Sequence, residues 1–422
     1  MQGTVNTDHS VRLHIPFNFD SYDYRSVCLF FACLIYGLFG SPTPDAVGGQ
    51  ELIIGILLAL SVGIGRARDV FMGAGYKRFW KSSGQVFLLY GMTVPFVIAV
   101  MSGHELRAIM RDLLPFLFLF SPLFFLPLLR ARPHYYRSFV VAVILIGLIF
   151  SMRSILMREL VGCDVWCTDE LLYLENMPTV LFTCLILIGS AIAAVTQGLN
   201  FKNLIWFFAL LCLSALPLAA MIATSQRASV GAVMLYVLLV VSYYILRSPV
   251  KGGNALIMIG IVGVVVNFSL YSIFSSLWIK TQTVGLNMRP QEFLAVWDVV
   301  SQNTLTFLFG IGWGGEFESP AVGGLRVNFT HNFFSSVFLK TGCVGVVLAT
   351  LYILGLLERL ARVVIKNPVI GGALAAPILI DLTLYASFKS LDFGLVLLMI
   401  SGSLVYFRQS ESVQTKRSCI YA

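Results

Sequence analysis

Charge is what this sequence has least of. Asp, Glu, Lys and Arg make up 12% of its 422 residues, about half the share of an ordinary soluble domain. The five histidines and eight cysteines form no HExxH and no other metal-ligand spacing. There is no phosphate-cradling P-loop and no defensible Ser-His-Asp order. Residues 310–315, Gly-Ile-Gly-Trp-Gly-Gly, neither follow a strand nor open a helix of a βαβ unit, so a dinucleotide site is a poor reading. A cleavable signal peptide is not expected either. Residues 1–24 are polar and mixed in charge, and the first apolar run begins near Val27.

Hydrocarbon fills the place of charge. Hydrophobic residues reach 58% and mean hydropathy is +0.85. The apolar runs have the length of a bilayer span, about 20 residues, and lipid leaves no partner for an open backbone. The expected fold class is therefore all-α, a polytopic membrane protein. Twelve spans are predicted, at about 26–41, 52–66, 84–102, 113–129, 138–152, 178–197, 204–223, 229–246, 254–274, 331–355, 369–388 and 391–407. Residues 1–25 and 408–422 are tails, 26–274 hold spans one to nine, 331–407 hold spans ten to twelve, and 275–330 form one large loop.

The formal charge of +8 records topology rather than nucleic-acid binding. With the N-terminus in the cytoplasm, 19 of the 29 Lys and Arg fall on the cytoplasmic side and 14 of the 21 Asp and Glu on the outer side, as the positive-inside rule requires. Both termini are then cytoplasmic and the large loop faces outward. The cations outside this bias are Arg107, Arg111, Arg153, Arg158, Arg227, Lys280, Arg289, Arg326 and Lys389, with Lys340 inside span ten. Arg107 and Arg111 share a helix face and are expected to pair with Glu105 and Asp112. Lys389 and Asp392 close a short turn and can pair with each other. Arg227, in a short turn flanked by apolar sequence, reads equally as a partnered functional charge and as a side chain snorkelling to lipid phosphates. Asp381 lies mid-span, where an acid is a functional candidate by default, though bonding to a neighbouring helix fits as well. Cys163 and Cys167 face an outer compartment that permits a disulfide, and their close spacing constrains its geometry.

The large loop concentrates the polar chemistry. Met288–Val300 reads as an amphipathic surface helix with Arg289 at its start, Pro290 in its first turn, and Phe293, Val296, Trp297 and Val300 on one face. The Gly-rich turn follows, then Arg326, and His331 stands at the mouth of span ten.

A short outer turn Thr224-Ser225-Gln226-Arg227-Ala228, then Arg289, Phe309-Gly310-Ile311-Gly312, His331-Asn332 and Thr341-Gly342-Cys343-Val344-Gly345 follow one another in order. This arrangement resembles the O-antigen ligase and O-antigen polymerase superfamily of bacterial envelope proteins, over roughly residues 220–350. Lys340 departs from it, standing where an acidic residue is expected.

The resemblance implies a membrane-embedded C-class glycosyltransferase of the bacterial inner membrane, with the loop in the periplasm. Such an enzyme moves a glycan from undecaprenyl diphosphate to an acceptor sugar hydroxyl, on lipid A–core for a ligase or on a lipid-linked glycan for a polymerase. It implies an inverting reaction with no metal and no cofactor, membrane lipid as a partner, and no nucleic acid. By position, His331 would be the base, and Arg227 and Arg289 would grip the diphosphate. Arg326 and Asn332 would add substrate contacts. A secondary transporter is the other class with this many spans. It usually shows repeated halves and a midplane site, and neither is visible here.

Overall fold

The computed structural model describes residues 20–41, 48–72, 78–161, 174–264, 282 and 288–420. Cys163, Cys167, Lys280 and the greater part of the expected tail 1–25 lie outside the described residues. In chain order the helices are α1 (Ser21–Phe39), α2 (Gly49–Val62), α3 (Ile64–Met72), α4 (Phe79–Met101), α5 (Leu106–Phe118), α6 (Ser121–Ala131), α7 (Tyr135–Val161), α8 (Pro178–Thr196), α9 (Phe201–Ala223) and α10 (Arg227–Arg247). α11 (Pro249–Val264) follows. After it come α12 (Arg289–Val300), α13 (Thr304–Phe309), α14 (Phe333–Lys366), α15 (Pro368–Thr383) and α16 (Leu391–Ile420). A small hairpin of β1 (Phe317–Ser319) and β2 (Leu325–Val327) interrupts the helices.

The chain is an all-α, multi-pass membrane protein. Among the described residues nine helical segments are long and apolar enough to cross a bilayer, α5 and α6 counting together as one. α11 and α15 are shorter apolar helices. The predicted second span, 52–66, is not one rod: α2 and α3 meet at an angle of 78°. Gly63 makes the bend, at φ 69°. The predicted ninth span begins in α11 and runs on outside the described residues.

Local chemistry moves some helix ends from their predicted places. α1 starts five residues early because Asp20 and Asp23 form a capping box, the Asp20 carboxylate accepting from the Tyr22 N–H at 2.8 Å and the Asp23 N–H at 3.1 Å. At the far end of α7, beyond its predicted stop at 152, Arg153 donates to the carbonyls of Gly37 and Gly40, each at 2.9 Å. Arg158 donates to the carbonyl of Ala223 at the end of α9. Two of the cations outside the charge bias thus cap helix C-termini, where orphan carbonyls and the helix dipole favour positive charge.

α8 is the central rod, packed by α7, α9, α10, α15 and α16. Its faces carry Val180, Leu181, Phe182, Leu185 and Ile192, all buried. Thr179 on α8 and Tyr36 on α1 both donate to the buried carboxylate of Asp392. Asp392 therefore faces the core and does not pair with Lys389, because a carboxylate at that depth needs donors from the helices around it.

α14 runs beside α4, α15 and α16 and is broken at Gly342. Gly342 has φ 65°, and a Cβ there would come within 2.4 Å of the Leu308 carbonyl carbon. The kink is the seat into which the end of α13 fits.

Candidate functional site

The loop after α12 is not spread over the surface. Its Gly-rich turn threads into the bundle and is held by backbone. Ile311 N–H donates to the Leu339 carbonyl at 2.9 Å, Gly312 N–H to Lys340 at 3.1 Å and Trp313 N–H to Pro95 at 3.3 Å. The Trp313 indole N–H donates to the Gly91 carbonyl at 2.8 Å, and the ring lies 5.0 Å from Phe116. Gly310, at φ 79°, has no room for a Cβ against the Lys340 backbone. The turn is thus a structural plug between α4, α5 and α14.

A buried ion cluster fastens this plug. Asp112 lies 2.6 Å from Lys340 Nζ and 3.0 Å from Lys389 Nζ, and accepts from the Gly314 N–H at 2.9 Å. Lys340 also donates to the Gly315 carbonyl, and Lys389 to the Asn328 carbonyl at 3.1 Å. Asp112 and Lys340 are almost fully buried. Asp112 is therefore turned inward to two lysines rather than outward to Arg107 and Arg111. Lys340, unexpected in the sequence, is the cation this acid requires.

α12 follows a different face from the predicted one. Its buried positions are Glu292, Val296 and Val300, packed on Phe338 and Leu339 of α14. Phe293 and Trp297 remain about half exposed. What rotates the helix is Glu292. Its carboxylate accepts from Ser319 Oγ at 2.8 Å and from the His331 N–H at 3.0 Å. It also lies 3.1 and 3.2 Å from His331 Nδ1. An apolar stripe predicts which side of a helix is greasy; it cannot report a carboxylate that must reach inward to three donors.

These contacts fix the chemistry of His331. Burial pushes the Glu292 carboxyl up, but the His331 side-chain and backbone donors and Ser319 outweigh it and hold it below its usual range. The first turn of α12 also favours negative charge. An ionised carboxylate only accepts, so Nδ1 carries the proton that faces it. In the neutral ring with Nδ1 protonated, Nε2 is the atom with the lone pair, and the side chain is partly open to solvent. Asn332, beside it, caps α14 by accepting from Phe334 N–H at 2.9 Å and Ser335 N–H at 3.3 Å. Its side chain has a structural duty of its own.

Arg289 and Arg227 are the first residues of α12 and α10. The two approach the same place from different parts of the chain. Burial holds the Arg289 guanidinium below its usual range; Tyr385 and Glu292 oppose this and the charge of Arg227 adds to it. Arg289 Nε is buried and has no hydrogen-bond acceptor among the described residues. Tyr385 completes the group: burial, with the charge of Asp381, holds its hydroxyl above its usual range against the opposing pull of Ser229, Arg289 and Arg227. The cluster is thus His331 with its Glu292, then Arg289, Tyr385 and Arg227. Arg326 is exposed opposite Glu318, on the hairpin whose Ser319 donates to Glu292.

Behind the Thr224–Arg227 turn sits Glu175, 3% exposed. It accepts from Ser154 Oγ at 2.7 Å and lies close to Gln226 and Thr224; burial raises its carboxyl to about 7. The folded pKa exceeds the ordinary value of 4.5. Stability is therefore full below the ordinary value and falls as pH rises through the window up to about 7, where the folded state holds the extra proton. Thermal unfolding of Glu175→Gln from pH 4.5 to 8 should show that slope flattened, by up to about 3 kcal/mol across the window. An unchanged slope would mean that Glu175 is not the group responsible.

Sequence reasoning named His331, Arg289 and Arg227 and missed Glu292 and Tyr385. Glu292 could have been found, since it lies one helical turn after Arg289 in the same predicted helix. Tyr385 had no local signal; it reaches the site only through the packing of α15. No protein-family model matches this chain, and no curated protein matches it.

Proposed function

We propose that the protein is a glycosyltransferase of the bacterial inner membrane. It moves a glycan from a polyprenyl diphosphate carrier to an acceptor sugar hydroxyl, in the manner of an O-antigen ligase. The observation that carries this reading is a carboxylate-oriented histidine beside two arginines, one of them with a buried N–H that has no acceptor among the described residues. A base next to a cationic anion-grip suits displacement of a diphosphate by a hydroxyl. His331 Nε2 takes the proton of the attacking hydroxyl. The hydroxyl oxygen bonds to the anomeric carbon from the face opposite the diphosphate, whose C–O bond breaks with its electron pair. The anomeric centre inverts. Arg227 and Arg289 hold the charge that builds on the departing diphosphate, Arg being suited to a bidentate grip on phosphate oxygens. In this reading the site faces the periplasm, the two termini are cytoplasmic, and the acceptor is lipid A–core.

The test is surface glycan in a strain lacking the protein, complemented with wild type, Arg227→Ala, Arg289→Ala or His331→Ala at matched membrane abundance. Full-length glycan retained on the carrier, with no rescue by the variants, is the expected outcome. An acceptor carrying a single repeat would make the enzyme the related polymerase. Unchanged glycans and full rescue by all three variants would remove the transferase reading and favour a transporter.

A further inference from the structure

The segment that carries His331 is held from several sides. Lys389 donates to the Asn328 carbonyl at 3.1 Å. The Phe329 ring stands edge-on to the imidazole, with centroids 5.8 Å apart. Thr330 Oγ1 donates to the Asn332 carbonyl at 2.8 Å, and Asn332 caps α14. These contacts set where the imidazole sits. They do not set what faces it. Nδ1 faces the Glu292 carboxylate, and the last torsion of a glutamate side chain is a soft one.

Two donors oppose that rotation, one on each oxygen. The His331 N–H reaches Oε2 at 3.0 Å, and the Ser319 hydroxyl reaches Oε1 at 2.8 Å. Ser319 is the donor of its bond, because an ionised carboxylate only accepts. Nδ1 lies 3.1 Å from Oε1 and 3.2 Å from Oε2. Without the hydroxyl, Oε1 would keep Nδ1 as its partner, and the carboxylate and the imidazole would orient only each other.

The hairpin delivers that hydroxyl by strand geometry. Alternate residues of a strand face opposite sides. Along β1, Phe317 and Ser319 are buried and Glu318 between them is exposed. Phe317 is the apolar anchor, clustered with Val296 and Val300 of α12. Ser319, 0% exposed, follows on the same face. Its backbone is fixed too: its carbonyl accepts from the Gly324 N–H at 2.9 Å, and the strand register sets it opposite Leu325. A buried hydroxyl needs a partner, and the Glu292 carboxylate is the one it has. We propose that Ser319 is a positioning residue for His331. Through this hydroxyl the β1–β2 hairpin holds Glu292 in the orientation that keeps the proton on Nδ1 and the lone pair on Nε2.

The inference rests on His331 being the base of the proposed transfer, and the experiment separates the two. Ser319→Ala, Glu292→Gln, the double variant and His331→Ala are purified as full-length chains in detergent and checked by thermal unfolding. They are then reconstituted and assayed with a polyprenyl-diphosphate-linked glycan and lipid A–core, with rates taken per folded molecule. Ser319→Ala should lower kcat about ten- to a hundredfold, the worth of one hydrogen bond to a charged group. The donor KM should not change, because Arg227 and Arg289 meet the diphosphate in this reading and Ser319 does not. In the Glu292→Gln background, Ser319→Ala should slow transfer by less than about two-fold, since the bond it removes acts through the carboxylate. Glu318→Gln, on the outward face of the same strand, should keep the wild-type rate. A hairpin that only packs would slow both backgrounds by the same factor, and that result overturns the proposal. So does a wild-type kcat in Ser319→Ala when His331→Ala is inactive. Wild-type transfer by His331→Ala would instead remove the base on which the proposal rests. A second readout needs no substrate. In chains with ¹⁵N-labelled histidine, the His331 signals, identified by their loss in His331→Ala, should report the Nδ1–H tautomer in wild type and a mixture of both tautomers in Ser319→Ala. An unchanged tautomer in Ser319→Ala overturns the proposal. A changed tautomer in a protein that transfers no glycan would overturn the transferase reading and keep Ser319 as the group that orients Glu292.

Discussion

On the proposed transferase reading, Glu292→Gln should slow glycan transfer by about 10²–10⁴-fold while the protein still folds and reaches the membrane. The substitution keeps shape and changes one hydrogen-bonding role. In the native site both carboxylate oxygens accept, from Ser319, from the His331 backbone and from Nδ1. A glutamine has one accepting oxygen. The His331 backbone N–H is a fixed donor and claims it, while the Ser319 hydroxyl can rotate to accept. The amide NH₂ is then left facing Nδ1. A donor there stabilises the tautomer with its proton on Nε2, the nitrogen that acts as the base in the proposed mechanism. The loss of charge-assisted bonds should cost stability only about 1–2 kcal/mol. Transfer measured with the reconstituted protein and a lipid-linked glycan donor, beside His331→Ala, separates the possibilities. If Glu292→Gln keeps the wild-type rate and His331→Ala does not, the tautomer argument fails. If both keep it, His331 is not the base.

The Glu292 result also marks the boundary of what was legible in the sequence. Among the described residues, hydropathy located the nine helical segments long and apolar enough to cross a bilayer, because a bilayer imposes one length and one polarity on every span. Arg227 and Arg289 stood out as cations against the positive-inside bias, and His331 as a polar residue at the mouth of an apolar run; their order along the chain carried the resemblance. The errors share one cause. Asp112 was expected among the partners of Arg107 and Arg111, and Lys389 beside Asp392, by nearness in the chain. The structure pairs Asp112 with Lys340 and Lys389 and sends Asp392 to Tyr36 and Thr179. These partners lie hundreds of residues away and are adjacent only once α1, α5, α8, α14 and α16 have packed. In a chain with so few charges, a buried ionic group selects its partner by depth, and depth is a tertiary property.

That same scarcity makes the second large effect predictable. Asp112→Ala should leave the protein largely unfolded or unrecoverable from the membrane. It removes the carboxylate that pairs with Lys340 and Lys389 and strands the Gly314 N–H that it accepts. Breaking a buried pair from one side costs about 3–5 kcal/mol, and an orphaned buried N–H about 1–3 kcal/mol more. A total stability of about 5–15 kcal/mol does not absorb both comfortably. Removing both partners should be far milder, because the cost comes from the charge left behind rather than from the lost attraction. Asp112→Asn/Lys340→Met should therefore melt well above Asp112→Asn alone, a coupling that thermal unfolding in detergent would read directly. Equal Tm for Asp112→Ala and wild type would show the cluster to be dispensable. The rescue has a further consequence for function. Lys389 holds the Asn328 carbonyl at 3.1 Å, three residues ahead of His331. A rescued double variant that folds but leaves Lys389 without its carboxylate should lose the proposed transfer activity through a displaced His331. That outcome would place the ion cluster in the positioning of the site as well as in the stability of the fold.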